Sequence, residues 1–165
     1  PEELQHLMMS PALRSMLLER GGKELTMGPR EAERFKDGLR KIPLFAEMEL
    51  SEMDDYVALS EYWVFPAESR IVQVGDNGMA LYMITSGTAD IVKDARVVDT
   101  IGRAQVFGEN SLINLIPETV DVVATEKLHV FIVGVELFRY VVDGEVDDEL
   151  SRPLSLMSGR RKAPQ

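Results

Sequence analysis

The sequence predicts a mainly β fold with flanking helices, and three observations carry that reading. Apolar residues recur at three- and four-residue steps before Tyr62 and again after Val133, whereas short β-branched and aromatic runs fill the stretch between them. Turn formers punctuate those runs, as in Asp76-Asn77-Gly78 and Ser86-Gly87, which tolerate positive φ. No helical period separates one run from the next, so the crossovers of a parallel sheet are missing and a barrel, roll or sandwich is expected. With 165 residues, 45% of them hydrophobic, the chain suits one globular module with a real core.

The elements follow in order. Ser10 and Pro11 stand where an N-cap and first helical residue belong, Leu13, Met16 and Leu17 form an apolar stripe, and Gly21-Gly22 stops the helix. After a loop over Lys23–Gly28, Pro29 opens a second helix that places Ala32, Phe35, Leu39 and Ile42 on one face until Pro43 ends it. Ser51 with Asp54 resembles a capping box, which predicts a third helix over Ser51–Leu59 with Met53 and Val57 inward. Strands are expected at Tyr62–Phe65, Arg70–Val74, Leu81–Thr85, Thr88–Lys93, Arg96–Ile101, Val120–Ala124 and Leu128–Val133. Leu137, Phe138, Val141 and Val142 then return to helical spacing.

Charge and composition narrow the function. There are 18 Lys+Arg against 28 Asp+Glu, a formal net charge of −10, which argues against a nucleic-acid partner because phosphate binding needs clustered cations. The absence of cysteine removes disulfides, thiol catalysis and Cys-ligated metals. His6 and His129 lie far apart, so no metal pair is expected, and no hydrolase or P-loop motif occurs; the chain reads as a non-enzyme. The apolar runs fall short of the ~20 residues of a membrane helix, and no signal-peptide pattern opens the chain. A soluble protein of a cytoplasmic or organellar interior is expected, either an excised domain or a processed product because it starts at Pro1. The acidic run Asp143, Glu145 and Asp147–Glu149 lacks calcium-loop spacing, and Arg160-Arg161-Lys162 forms a basic tail.

From about Leu39 to Val142 the chain resembles the cyclic-nucleotide-binding domain family. The resemblance rests on Leu39-Arg40-Lys41-Ile42-Pro43-Leu44-Phe45, on Gly75-Asp76-Asn77-Gly78 followed by Leu81-Tyr82-Met83-Ile84 and Ser86-Gly87, and on Phe107-Gly108-Glu109-Asn110-Ser111-Leu112-Ile113 with Pro117. It implies an antiparallel eight-stranded β-roll, jelly-roll-like, with N- and C-terminal helices. It also implies a domain over 29–142, with helices at 29–59, the roll at 60–134 and a helix at 135–142, between a helical extension 1–28 and a tail 143–165. The third of these motifs matches the family's phosphate-binding cassette. There Glu109 would accept a hydrogen bond from a ribose hydroxyl, or else cap the local turn, and the backbone at Gly108, Asn110 and Ser111 would face a cyclic phosphate. Glycine allows such close approach, and a helix start aims unpaired N–H groups at an anion.

The departures are as specific. Where the family carries a phosphate-clamping arginine after Pro117, this chain has Glu118, and Thr119 follows at a position associated with guanine contact. Ala104-Gln105 replaces a Gly-Asp pair, Val120 replaces a small alanine, Asp121 adds a carboxylate, and Arg103 is the cation placed to compensate. Two like charges ~4 Å apart at an effective dielectric of ~20 repel by roughly 4 kcal/mol. The expected function is therefore a non-catalytic regulatory or interaction domain with impaired binding of cyclic nucleotides. Its partner is a protein or larger assembly, its membrane insertion is nil, and its small ligand, if one binds, is a cyclic nucleotide or nucleoside. The alternative is a ligand-free scaffold subunit that docks through the β-roll and the N-terminal helices. No tightly held cofactor or metal is expected.

Overall fold

In the computed structural model, which describes residues 2–144, nine strands form two antiparallel sheets with five α-helices around them. The N-terminal elements are a 3-10 turn at Glu2–Leu7, α1 at Pro11–Glu19 and β1 at Lys23–Leu25. Then come α2 at Pro29–Arg40, a 3-10 turn at Pro43–Phe45 and α3 at Leu50–Leu59. The roll comprises β2 (Glu61–Phe65), β3 (Arg70–Val72), β4 (Ala80–Ser86), β5 (Ala89–Lys93), β6 (Arg96–Ile101), β7 (Val106–Phe107), α4 (Glu109–Asn114), β8 (Asp121–Ala124) and β9 (Leu128–Gly134); α5 at Val135–Gly144 follows. One sheet runs β1-β2-β9-β4-β7 and the other β3-β8-β5-β6.

Eight strands, β2–β9, make the expected roll, and the ninth corrects the sequence reading. Lys23–Leu25, expected as loop, pairs with Val64, Trp63 and Tyr62 of β2. Three residues are too few to show a period, and the pairing partner lies some forty positions away. The third helix also starts one residue earlier than expected: Glu49 is the N-cap, and its N–H donates to Glu52 Oε1 at 3.2 Å, so the capping box is Glu49/Glu52 rather than Ser51/Asp54. The acidic segment from Glu145 and the basic tail lie outside the described residues.

The five-stranded sheet has a core on each face because β4 and β9 alternate between them. Tyr82, Ile84, Val130 and Ile132 face the other sheet, with Trp63, Phe65, Ile71, Phe107 and Val122. Leu81, Met83, Phe131 and Val133 face outward, under Phe35 and Leu39 of α2, Met53 and Val57 of α3, and Leu137, Phe138 and Val141 of α5. Phe35 stacks on Phe131 with ring centroids 4.4 Å apart. At Gly38 a Cβ would run into the Met83 thioether, so glycine lets α2 lie close on the sheet.

The N-terminal helix belongs to the inner core. Leu13 and Leu17 of α1 are 1% and 0% exposed within the cluster that fills the roll. Burial of each such side chain contributes about 1.5–3 kcal/mol. Ser10 Oγ accepts the Leu13 N–H at 3.2 Å as the expected N-cap. Gly21, at φ +98°, ends the helix against the β2–β3 turn. Of the described helices, none is long and apolar enough to cross a membrane.

Candidate functional site

The cassette starts where β7 ends. Gly108 is the N-cap of α4 in the left-handed conformation, φ +87°, and a Cβ there would lie 2.7 Å from the Ala80 carbonyl oxygen. A side chain would thus be strained by backbone angle and blocked by backbone contact. Directly beneath, Tyr82 and Phe107 pair across β4 and β7 and stack with centroids 4.7 Å apart. Two loops close over this floor. In one, residues 75–78 lie on α4 so tightly that a Cβ on Gly78 would be 2.9 Å from Ser111 Oγ. In the other, Glu118 is fixed to the first by two main-chain bonds: Gly75 N–H donates to the Glu118 carbonyl and Glu118 N–H to the Asp76 carbonyl, both at 2.8 Å.

The side chains of Ser111 and Glu118 meet. Ser111 is 3% exposed and its hydroxyl donates to Glu118 Oε2 at 2.7 Å. Burial holds the Glu118 carboxyl above the usual carboxylate range; the Ser111 bond opposes that, while the charges of Asp76 and Glu109 reinforce it. No ion pair to Glu118 forms among the described residues.

Asp76, in the adjoining loop, has three donors. Arg20, the C-cap of α1, gives Nη1–H to Oδ2 at 2.7 Å and Nη2–H to Oδ1 at 3.0 Å, while Gln73 N–H reaches Oδ2 at 2.9 Å. The same guanidinium donates to the Ile71 carbonyl at 3.0 Å. Burial alone would raise the Asp76 carboxyl, but the Arg20 and Gln73 hydrogen bonds and the Arg20 charge outweigh it and hold it below the usual range. The buried Tyr82 hydroxyl sits within the field of all three groups; burial pushes it up, Arg20 pulls it down, and Asp76 and Glu118 push it further up.

Of the residues singled out from the sequence, Gly108, Ser111 and Glu118 come together here. Glu109 lines a cavity of about 420 Å³ together with Ile42, Phe45, Leu81, Ile113 and Phe138, between the cassette helix and the outer helices. The Asn110 side chain is exposed and bonds along α4 to Asn114, and Thr119 is exposed. Asp121 does not add to the charge of the site: Arg70 pairs with its Oδ2 at 2.5 Å and Val74 N–H donates to its Oδ1 at 2.7 Å. Nor does Arg103 compensate Glu118, since it lines a separate cavity with Arg34, Lys41 and Met83 on the outer face of the sheet. The nearby cation is Arg20, which sequence reasoning missed. The sequence offered only a basic residue before Gly21-Gly22, with its partner 56 positions away.

The model of the cyclic nucleotide-binding domain matches residues 62–145, about half of the chain. The chain belongs to the cyclic nucleotide-binding domain family. Among curated relatives, the cAMP-dependent protein kinase regulatory subunit of Yarrowia lipolytica is 31% identical over 132 residues, spanning 78% of this chain and 35% of that protein. The chain thus corresponds to about a third of that relative's length. Two solved structures share the fold. The regulatory domain of Toxoplasma gondii PKA with cAMP has a TM-score of 0.66 at 23% identity, over 75% of this chain and 49% of that one. The regulatory subunit of a cAMP-independent protein kinase A from Trypanosoma cruzi bound to guanosine has a TM-score of 0.60 at 22% identity, over 82% and 51%. The family is that of a binding module, in accord with the lack of any catalytic motif in the sequence. The extension carrying α1 and Arg20 precedes the matched residues.

Proposed function

We propose that this domain is a non-catalytic regulatory module whose site disfavours cyclic nucleotides and accepts an uncharged, hydroxyl-bearing ligand of the nucleoside type. One observation carries the proposal: the Glu118 carboxyl is anchored by Ser111 at the corner of the cassette, with the charges of Asp76 and Glu109 acting on it. A cyclic phosphate brought to that corner meets like charge, at a cost of roughly 4 kcal/mol or about a thousandfold in affinity. A sugar hydroxyl brought there can donate to the same carboxylate. The fold accommodates either chemistry, since one structural neighbour holds cAMP and another guanosine. The regulatory-subunit relative supports a protein as partner. Gly108, Glu109, Asn110, Ser111, Glu118 and Thr119 remain the proposed binding set.

Calorimetry with cAMP, cGMP, adenosine and guanosine tests this on the wild type and on Glu118→Arg. The wild type should bind a nucleoside and give no heat with micromolar cyclic nucleotide. Glu118→Arg should gain about a thousandfold in cAMP affinity, because it removes a like charge and supplies a planar fork of donors. Micromolar binding of cAMP or cGMP by the wild type would overturn the proposal.

A second reading has its own support. Asp76 pairs with Arg20 and Glu118 accepts from Ser111, so each carboxyl has a partner within the protein, as suits an unoccupied scaffold. If Glu118→Arg folds normally and neither chain binds any of the four ligands at millimolar concentration, the scaffold function takes its place.

A further inference from the structure

The segment before the family-matched residues is seated on the site from behind. Arg20 lies at the end of α1, where Gly21 and Gly22 turn the chain so closely against β2 that a Cβ on Gly22 would meet the Phe65 ring at 2.6 Å. From that fixed point one guanidinium reaches both the Ile71 carbonyl of β3 and the carboxylate of Asp76. Asp76 and Gly75 in turn hold Glu118 through the two main-chain bonds, and Glu118 holds Ser111 of the cassette helix. A continuous chain of hydrogen bonds therefore runs from α1 to α4. The two also share one apolar core, because Leu13 and Leu17 belong to the same cluster as Tyr82 and Phe107 of the site floor.

We infer that Arg20 is a positioning residue for the binding site, and that through its clasp on Asp76 the docking of α1 and the occupancy of the site are coupled. The coupling needs no new contact between α1 and ligand. A ligand that uses Glu118 and Ser111 favours the arrangement in which the 73–78 loop is held, and that arrangement is the one Arg20 stabilises. Linkage makes the effect reciprocal: what secures α1 tightens the site, and what fills the site secures α1. The ligand half of this inference rests on the nucleoside reading above; the positioning half stands without any ligand.

Amide hydrogen exchange on the full chain separates the two halves. Without ligand, Arg20→Gln should speed exchange at the Gly75 and Glu118 amides by between about ten- and a hundredfold, the worth of charge-assisted hydrogen bonds, while the β9 amides of Val130 and Ile132 stay unchanged. Asp76→Asn should give the same pattern, and the double substitution should add little to either single one. Arg20→Lys keeps the charge but loses the fork, and should fall between the wild type and Arg20→Gln. With guanosine as probe, the Gly21 and Gly22 amides, which donate to Leu18 and Leu17, should exchange more slowly in the wild type and not in Arg20→Gln. Unchanged Gly75 and Glu118 amides in Arg20→Gln, or equal acceleration throughout the sheet, would overturn the positioning role. Guanosine that binds yet leaves Gly21 and Gly22 unaltered would overturn the coupling. Guanosine that does not bind at all removes the nucleoside reading, and with it the coupling, while the ligand-free comparison still decides the role of Arg20.

Discussion

Asp76 and Glu118 sit on adjoining loops, tied by two main-chain hydrogen bonds, and both are half-buried in the same corner of the roll, yet their carboxyls are displaced in opposite directions. Burial pushes each of them up. For Asp76 that push is overcome by a guanidinium with two aligned N–H groups and a full charge, together with one backbone amide. For Glu118 the side-chain donor among the described residues is the Ser111 hydroxyl, which has a single proton and no charge. Depth of burial therefore does not decide what a carboxylate does here; the partner does. The partner of Asp76 comes from α1, so one acid has its state set by an element outside the family-matched residues and the other has its state set within them.

The harshest way to break the contrast is to undock α1. Leu17→Ala removes a fully buried side chain from the inner core and should cost about 3 kcal/mol in urea unfolding, since the cavity adds to the lost transfer energy. With the helix loosened, Arg20 loses its fixed starting point, and the Asp76 carboxyl should move up toward the range of Glu118, which a carboxyl-detected NMR titration would follow. A variant that loses this stability while Asp76 keeps its depressed value would show that the clasp does not depend on the helix. Asp76→Asn is a smaller step. It keeps an acceptor for Gln73 but strands the Arg20 charge, and should cost about 2 kcal/mol at neutral pH.

How far the sequence carried this reading depends on the range of each interaction. The helices opened by Pro11 and Pro29, the inward faces of Leu13, Leu17, Phe35 and Leu39, and the placement of Gly108 before a short helix all follow from local rules and agree with the structure. The strand β1 and the Glu49 cap did not follow, the first because three residues carry no period and the second because Ser51 and Glu49 both offer capping side chains within one turn. In the site, the cassette pattern brought Ser111 and Glu118, seven residues apart, to one corner, but not the hydrogen bond between their side chains. The pairings Arg20–Asp76 and Arg70–Asp121 were not, since each bridges more than fifty positions with nothing local to select the partner. Arg103, chosen for nearness in sequence, points into a different cavity.

Glu118→Gln sharpens the contrast with the smallest effect. The Glu118 carboxyl is raised in the folded chain, so the folded state binds its proton more tightly than the unfolded state does. Its stabilising contribution is present below the ordinary glutamate value and is lost as pH rises through the raised folded value. At neutral pH the charged form is therefore a burden on the fold. The amide, which still accepts from Ser111, should leave the protein more stable by on the order of 0.5 kcal/mol. Below the ordinary glutamate value the wild-type carboxyl is protonated in both states and the advantage should vanish. Asp76→Asn must behave in the opposite way. A depressed carboxyl contributes stability above its unfolded value and loses it as pH falls through the folded value, so the cost of that substitution should be full at neutral pH and shrink in acid. Urea unfolding of both variants from neutral to acid pH gives two difference curves that should lie on opposite sides of zero and converge toward it in acid. Curves of the same sign would mean that the two acids share one environment, and that Arg20 does not set them apart.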